Sequence, residues 1–240
     1  MRIALFGDIH SNLEALQSVL ADAQLQGCTH HICLGDLVGY SADPVACIDL
    51  VRSLDCPVIK GNHDEQAAMS GSLEGFTELA AAAMDWTRRQ IGEQDKAWLR
   101  SLRLQRVIRD FTVVHATLDT PHKWGYIATP ADAAASFTYQ HTPVCFFGHT
   151  HEPYLFSTGI VVKKKTFDQI QLKPGTQYLI NIGSVGQPRD QDWRAAYVIY
   201  QPETLEVELR RIPYDIETTQ RKILAAGLPA ELAERLALGK

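Results

Sequence analysis

Arg2-Ile3-Ala4-Leu5-Phe6-Gly7-Asp8-Ile9-His10 begins as an unbroken apolar run and ends in a glycine followed by two metal-binding side-chain types. The run reads as a β-strand. Past it, Leu13, Leu16, Val19, Leu20 and Ala23 recur at helical spacing, which predicts a helix over 12–26 with Ser11 or Asn12 at its cap. A strand over 30–35, a helix over 44–54 and a strand over 57–61 complete two βαβ-like steps. Alternation of this kind predicts an α/β fold, and open α/β sheets place their sites beyond the carboxyl ends of the strands.

Four more stretches end as the first one does. They are Gly35-Asp36, Gly61-Asn62-His63-Asp64, His115-Ala116 and Gly148-His149-Thr150-His151, and most follow an apolar run. Asp8 and His10 are two residues apart, as are His149 and His151. In an extended backbone such pairs face one side, so both could reach one ion. The glycines at 7, 35, 61 and 148 leave room for a sharp turn before each ligand. Two Asp, one Asn and four His suit two divalent cations sharing a carboxylate, with His63 to spare. Such pairs of cations hydrolyse phosphate esters. Imidazole, carboxylate and amide oxygen suit manganese, iron, zinc, cobalt or nickel, and no cysteine joins the set to make a closed thiolate site.

Further along, helices are expected over 74–91 and 94–102, joined at Gly92, and strands near 105–109 and 111–115. A short helix follows over 130–140. From 144 the chain reads as mostly β, with hairpins over 154–172 and 195–213, the second turning at Gln201-Pro202-Glu203-Thr204. Two short helices broken at Gly227-Leu228-Pro229 close it, and Ala225, Leu228, Leu232, Leu236 and Leu238 are expected to pack inward. At 240 residues the chain suits one large domain, and a net charge of −5 offers no basic field for nucleic acid. No apolar run approaches the roughly 18 residues that a membrane span needs. The five cysteines lack paired spacing and sit mostly in apolar runs, so a reducing cytoplasmic setting is expected.

The order Asp-x-His, Gly-Asp, Gly-Asn-His-Asp, His, Gly-His-x-His resembles the calcineurin-like metallophosphoesterase superfamily over roughly residues 1–190, in its small bacterial and archaeal phosphoesterase form. The resemblance implies a four-layer αββα sandwich of two mixed β-sheets flanked by helices. It implies a metallophosphoesterase domain over 1–213 and a C-terminal helical extension over 214–240 packed on it. Position by position, Asp8, His10 and His151 would hold one metal. Asn62, His115 and His149 would hold the other, and Asp36 would bridge them. His63 would be the catalytic residue that binds no metal. The implied activity is phosphatase or phosphodiesterase, a metal-bridging hydroxide attacking phosphorus, with manganese the first expectation for both ions.

One departure stands out. Protein phosphatases of the superfamily carry a second Asp three residues past the bridging one, and Gly39 stands here, so Asp64 or a carbonyl is expected to orient His63. Tyr40-Ser41 replace arginines that grip phosphate, which argues against protein phosphatase activity. The glycine-rich run Asn181 to Asp190 reads as a phosphate-binding loop, with Arg189 and Asn62 as the expected substrate contacts. Trp124, Tyr126 and Trp193 sit in loops, and Lys163-Lys164-Lys165 on a hairpin tip or edge strand. The expected partner is a small phosphoester, a nucleotide among the options. Neither a membrane nor nucleic acid is expected, and a homo-oligomer stays open. The alternatives are a non-catalytic interaction scaffold, which the complete ligand set disfavours, and a nuclease, which the acidic balance disfavours.

Overall fold

The computed structural model describes residues 1–240. In chain order, Ile3–Phe6 (β1), Leu13–Leu25 (α1), His30–Cys33 (β2) and Pro44–Ser53 (α2) form the opening crossover, with β1 and β2 parallel. Asn12 caps α1 by accepting from the Ala15 N–H, and proline opens α2. Asn62–Ala68 (α3), Glu78–Gln90 (α4) and Glu93–Ser101 (α5) follow, then Gln105–Ile108 (β3) and Phe111–Val114 (β4). Pro130–Phe137 (α6), Val144–Phe147 (β5), Leu155–Ser157 (β6), Lys163–Lys165 (β7), Gln169–Gln171 (β8) and Tyr178–Asn181 (β9) come next. The chain then runs through Ala195–Gln201 (β10), Glu206–Ile212 (β11), Ile216–Ala225 (α7) and Ala230–Leu238 (α8).

The strands make two mixed sheets, β2-β1-β10-β11-β8 and β3-β4-β5-β9-β6-β7. Side chains alternate between two apolar environments along each central strand. Ile3 and Leu5 face the core between the sheets, while Ala4 and Phe6 face the layer beneath α1 and α2. Val144 and Phe146 point into the same central core, and Cys145 and Phe147 point outward to the layer that holds Ala133 and Phe137 of α6. A strand covered on both faces needs apolar residues at every position, which is why these strands read as unbroken runs rather than alternating ones. The expected four-layer sandwich is the observed fold.

Three local expectations change. Residues 57–61 make only isolated bridges, Cys33 to Val58 and Ile59 to Arg103, because Pro57 and Gly61 bound too short a segment. The 154–172 stretch divides: β6 and β7 pair in one sheet, whereas β8 crosses to the edge of the other and pairs with β11. Phe167, Ile170 and Leu172 draw it there by packing into the central core. The α3 helix was not expected at all. At the C-terminus, Leu228, Leu232 and Leu236 pack with Ile223 against Tyr40, Ala80 and Ala83. Ala225 and Leu238, expected to pack inward, are exposed. Lys222 ties α7 to Glu14 and Asp43.

The central core supplies a stability test. Phe146 is fully buried and meets Phe111 and Tyr200 at ring-centroid distances of 5.7 and 5.1 Å. Phe146→Ala should cost about 3–5 kcal/mol of unfolding free energy in denaturant titrations. Leu25, which is 84% exposed, should change stability by less than about 0.5 kcal/mol when replaced by alanine. Equal effects would contradict this assignment of the core.

Candidate functional site

Every candidate ligand stands where a strand or its following loop ends. Asp8 and His10 follow β1, Asp36 follows β2, Asn62 opens α3, His115 follows β4, and His149 and His151 follow β5. The structure brings Asp8, His10, Asp36 and His151 into one group and Asp36, His115 and His149 into another. Within each group the ligand atoms lie within 4.8 Å of one another, and all are buried. Asp36 belongs to both groups. Its Oδ2 is 3.6 Å from His10 Nε2 and 3.4 Å from His115 Nε2, and His151 Nε2 is 3.3 Å from Asp8 Oδ1.

Each imidazole has its other nitrogen against a backbone carbonyl. His10 Nδ1 faces Val38 O at 3.1 Å, His115 Nδ1 faces Leu34 O at 2.8 Å and His151 Nδ1 faces Gln187 O at 2.6 Å. In His149 the roles are reversed, with Nε2 facing Trp124 O at 2.9 Å. A ring nitrogen beside a carbonyl must donate its hydrogen, so the opposite nitrogen presents a lone pair to the cluster. His10 Nε2 and His151 Nε2 then face each other at 3.1 Å with no hydrogen to share. Burial, followed by His63 for His10 and by Arg189 for His151, holds these two rings below the ordinary imidazole pKa. Burial opposes the charge on Asp36 also, but His115 and His63 hold its carboxyl well below the usual range. Burial would lower His115 too, yet Asp36 and Asp8 push it up to about 10, so its Nε2 offers a lone pair once a bound cation displaces the proton. Asn62 Oδ1 and His115 Nε2 are buried and make no hydrogen bond. Converging lone pairs, two carboxylates and an orphaned amide oxygen are a donor set that a pair of divalent cations fits.

The backbone reaches this arrangement by left-handed turns, not by the extended i, i+2 geometry expected from the spacing. Asp8, His10, Asp36, His149 and His151 have φ of 48°, 48°, 51°, 67° and 62°. The glycines serve close approach more than turning. A Cβ on Gly61 would lie 2.0 Å from Asp36 Oδ1, and one on Gly148 would lie 2.4 Å from Asp8 Oδ2. Of the four glycines before ligands, Gly35 alone has a positive φ, +89°.

Asp64 does not orient His63, contrary to expectation. Its carboxylate accepts from the backbone N–H groups of Asp36 (2.8 Å), Leu37 (2.8 Å) and Gly61 (3.0 Å). It thus braces the loop after β2 against the start of α3. No carbonyl takes its place, because His63 Nδ1 is buried without a partner. The ring instead packs where a longer side chain at 39 would stand: a Cβ on Gly39 would lie 2.4 Å from Nδ1. Tyr40, His10 and Phe76 surround the ring at centroid distances of 4.7, 4.8 and 5.3 Å. Burial above all lowers the His63 pKa to about 4, so the ring is neutral at pH 7.

The glycine-rich run after β9 does not cradle an anion with its backbone. Its N–H groups are spent on Asn181 Oδ1, Gly7 O, Asp8 O and Ser184 Oγ. Gly186 lies against Ile9 O, where a Cβ would come within 1.8 Å. Asn181 and Ser184, not singled out from the sequence, brace the Gly148–Thr150 turn and Asp8. Only the side chain of Arg189 turns to the cleft, where Nη2 meets Gln187 Oε1 at 2.9 Å. That cleft of about 290 Å³ is lined by Tyr40, Asn62, His63, Phe76, Tyr126, Arg189 and Arg235. Tyr126 stacks on His149 at 4.2 Å, Trp124 bonds to Glu65, and Trp193 packs on Tyr214. Lys163, Lys164 and Lys165 form the exposed edge strand β7 and do not line this cleft.

The family model of the calcineurin-like phosphoesterase superfamily domain matches residues 1–204. An uncharacterized protein of Methanocaldococcus jannaschii is 39% identical over 243 residues, covering 99% of this chain and 98% of the relative. The crystal structure of a metallophosphoesterase from Sphaerobacter thermophilus superposes with a TM-score of 0.89 at 38% identity, covering 100% of this chain and 99% of that one. A hypothetical protein of Pyrococcus horikoshii shares the fold, with a TM-score of 0.80 at 20% identity over 100% of this chain and 98% of its own. No helix is long and apolar enough to cross a membrane. With this fold, and with a buried His/Asp cluster that could bind metal, the chain belongs to the calcineurin-like phosphoesterase superfamily.

Proposed function

We propose that the protein is a dinuclear-metal-dependent phosphoester hydrolase, a phosphatase or phosphodiesterase acting on a small substrate. One observation carries the reading: four imidazoles, each fixed by a carbonyl, aim their lone pairs at two buried carboxylates. In this reading Asp8, His10 and His151 would hold one ion, Asn62, His115 and His149 would hold the other, and Asp36 would serve both. Bound divalent cations supply Lewis-acid charge and acidify a water at neutral pH. Manganese is the first candidate for both. The superfamily membership supports the reaction class.

The remaining steps belong to the cleft. His63 is neutral and stands beside His10, so it donates a ring N–H to the leaving oxygen as charge develops there. Arg189 grips oxygens of the phosphoryl group with its planar fork. Asn62, which also lines the cleft, contacts the substrate from the metal side. Phe76 and Tyr126 give the leaving group an apolar wall. The cytoplasm is the setting in which five unpaired cysteines stay reduced.

A hydrolysis screen tests the function directly. With Mn²⁺, the protein should cleave at least one ester among aryl phosphates, bis-aryl phosphates, nucleotides, cyclic nucleotides and sugar phosphates, and a chelator should abolish the activity. Silence across the panel with every candidate metal would sink the proposal. His63→Gln should keep both metals and lose about 10²–10⁴-fold in turnover. The loss should be smaller for nitrophenyl esters, whose leaving group needs little help. Gly39→Ala should also lower turnover at unchanged metal content, because the added methyl displaces the His63 ring. Metal loss in His63→Gln would make His63 a ligand instead.

Arg189 supplies a separate measurement. A charge-assisted contact contributes about 1.5–3 kcal/mol, so Arg189→Ala should lower kcat/KM by roughly 10–150-fold. Arg189→Lys should already be impaired, since a point charge cannot replace the fork. Values within about twofold of the parent would remove Arg189 from the substrate site.

A further inference from the structure

The C-terminal helices carry a second guanidinium to the cleft. Arg235 lies on α8, and its guanidinium carbon is 6.0 Å from the Tyr40 ring centroid, while that of Arg189 is 5.8 Å from the same centroid. Tyr40 in turn lies 4.7 Å from both the His10 and His63 rings. The placement of Arg235 is built into the fold. Leu228, Leu232 and Leu236 dock the helix pair on Tyr40 and α4. The Gln191 N–H donates to Gly239 O at 2.9 Å, tying the loop that carries Arg189 to the end of α8. Gly239 fits there because a Cβ would lie 2.6 Å from the Asp192 nitrogen.

Both cations line the cleft, and no Asp or Glu side chain lines it with them. Arg189 Nη2 meets only the neutral groups Gln187 Oε1 and Tyr40 OH, and its Nε is buried without a partner. Arg235 Nε donates to the main-chain oxygen of Lys240, which leaves both Nη groups without a protein partner. Burial, and then the charge of Arg189, lower the Arg235 pKa. Like charges held together in a partly dry cleft are stabilised by an anion between them.

We propose that Arg235 and Arg189 form a second anion subsite beside the His/Asp cluster, and that the substrate is a phosphoester whose organic part carries a further phosphate or carboxylate. This rests on the hydrolase reading, and it makes the C-terminal extension a determinant of specificity. The phosphoester meets the cluster and Arg189, the apolar part of the molecule lies along Phe76 and Tyr126, and the distal anion lies between Arg189 and Arg235.

Binding of unreactive phosphonates separates this subsite from catalysis. The metal-loaded full chain is titrated calorimetrically with propylphosphonate, with phosphonopropionate and with a bisphosphonate of the same length. The parent should bind one or both double anions at least about tenfold tighter than propylphosphonate, the scale of one charge-assisted contact. The better of the two identifies the distal group as carboxylate or phosphate. Arg235→Gln should remove most of that advantage, and Arg235→Lys should keep part of it. Arg235→Met retains the aliphatic stem over Tyr40 and serves if glutamine unsettles the helix; it should lose the same advantage. A preference absent from the parent, or as large in Arg235→Gln and Arg235→Met as in the parent, overturns the subsite. Hydrolysis of the ester panel by the parent is scored apart: anion preference without turnover of any ester would overturn the hydrolase reading and leave the subsite standing.

Discussion

Four carbonyl oxygens decide the chemistry of this molecule. Val38, Leu34, Gln187 and Trp124 each hold one nitrogen of a buried imidazole, and so force the other nitrogen of His10, His115, His151 and His149 to point a lone pair inward. Those lone pairs meet Asp8 and Asp36, which are themselves buried. Such an arrangement repels itself unless positive charge sits at its centre. Metal ions sharing Asp36 would offset that repulsion. The backbone bears a cost as well. Five ligand residues sit at positive φ, where a non-glycine residue loses about 1–2 kcal/mol. Strain of this kind persists where the surrounding structure over-determines it, and it gathers at functional sites.

The two-sheet sandwich supplies that over-determination. Both faces of β1, β5, β9 and β10 are packed, so the strand ends that carry the ligands cannot drift. Asp64 joins three backbone N–H groups across the loop after β2 and the start of α3. Ser184, Asn181 and Asn12 tie the loop after β9 to the turns that hold Asp8 and His149. Glycines at 61, 148 and 186 stand where any side chain would strike a carboxylate or a carbonyl. Rigidity around the cluster is thus spread over several elements, while the cleft beside it is walled by Phe76, Tyr126 and two arginines.

Much of this was legible in the sequence because the relevant signals are local. Buried strands announce themselves as apolar runs, and each ligand lies within a few residues of one. The central strands and the positions of the candidate ligands could be read that way, and the resemblance to the superfamily supplied the two-sheet sandwich. What failed was geometry that only the assembled fold sets. Asp8 and His10 converge through left-handed turns, a choice that spacing cannot reveal. Helix α3 spans only Asn62–Ala68, too short for periodicity to show. The glycine-rich run after β9 looks like an anion cradle, but its N–H groups are consumed by Gly7, Asp8 and Ser184, all distant in sequence or hidden in a turn. Arg235 carried no local mark, since its place at the cleft follows from the docking of α8 on Tyr40.

Diffraction at the manganese absorption edge, from crystals grown with excess Mn²⁺, addresses the central claim. Two anomalous peaks about 3.5–4 Å apart, with the Asp36 carboxylate between them, are the predicted result. One should sit among Asp8, His10 and His151, and the other among Asn62, His115 and His149. A saturated crystal in which Asp36 touches no ion, or in which the imidazole lone pairs face only water, would contradict the account.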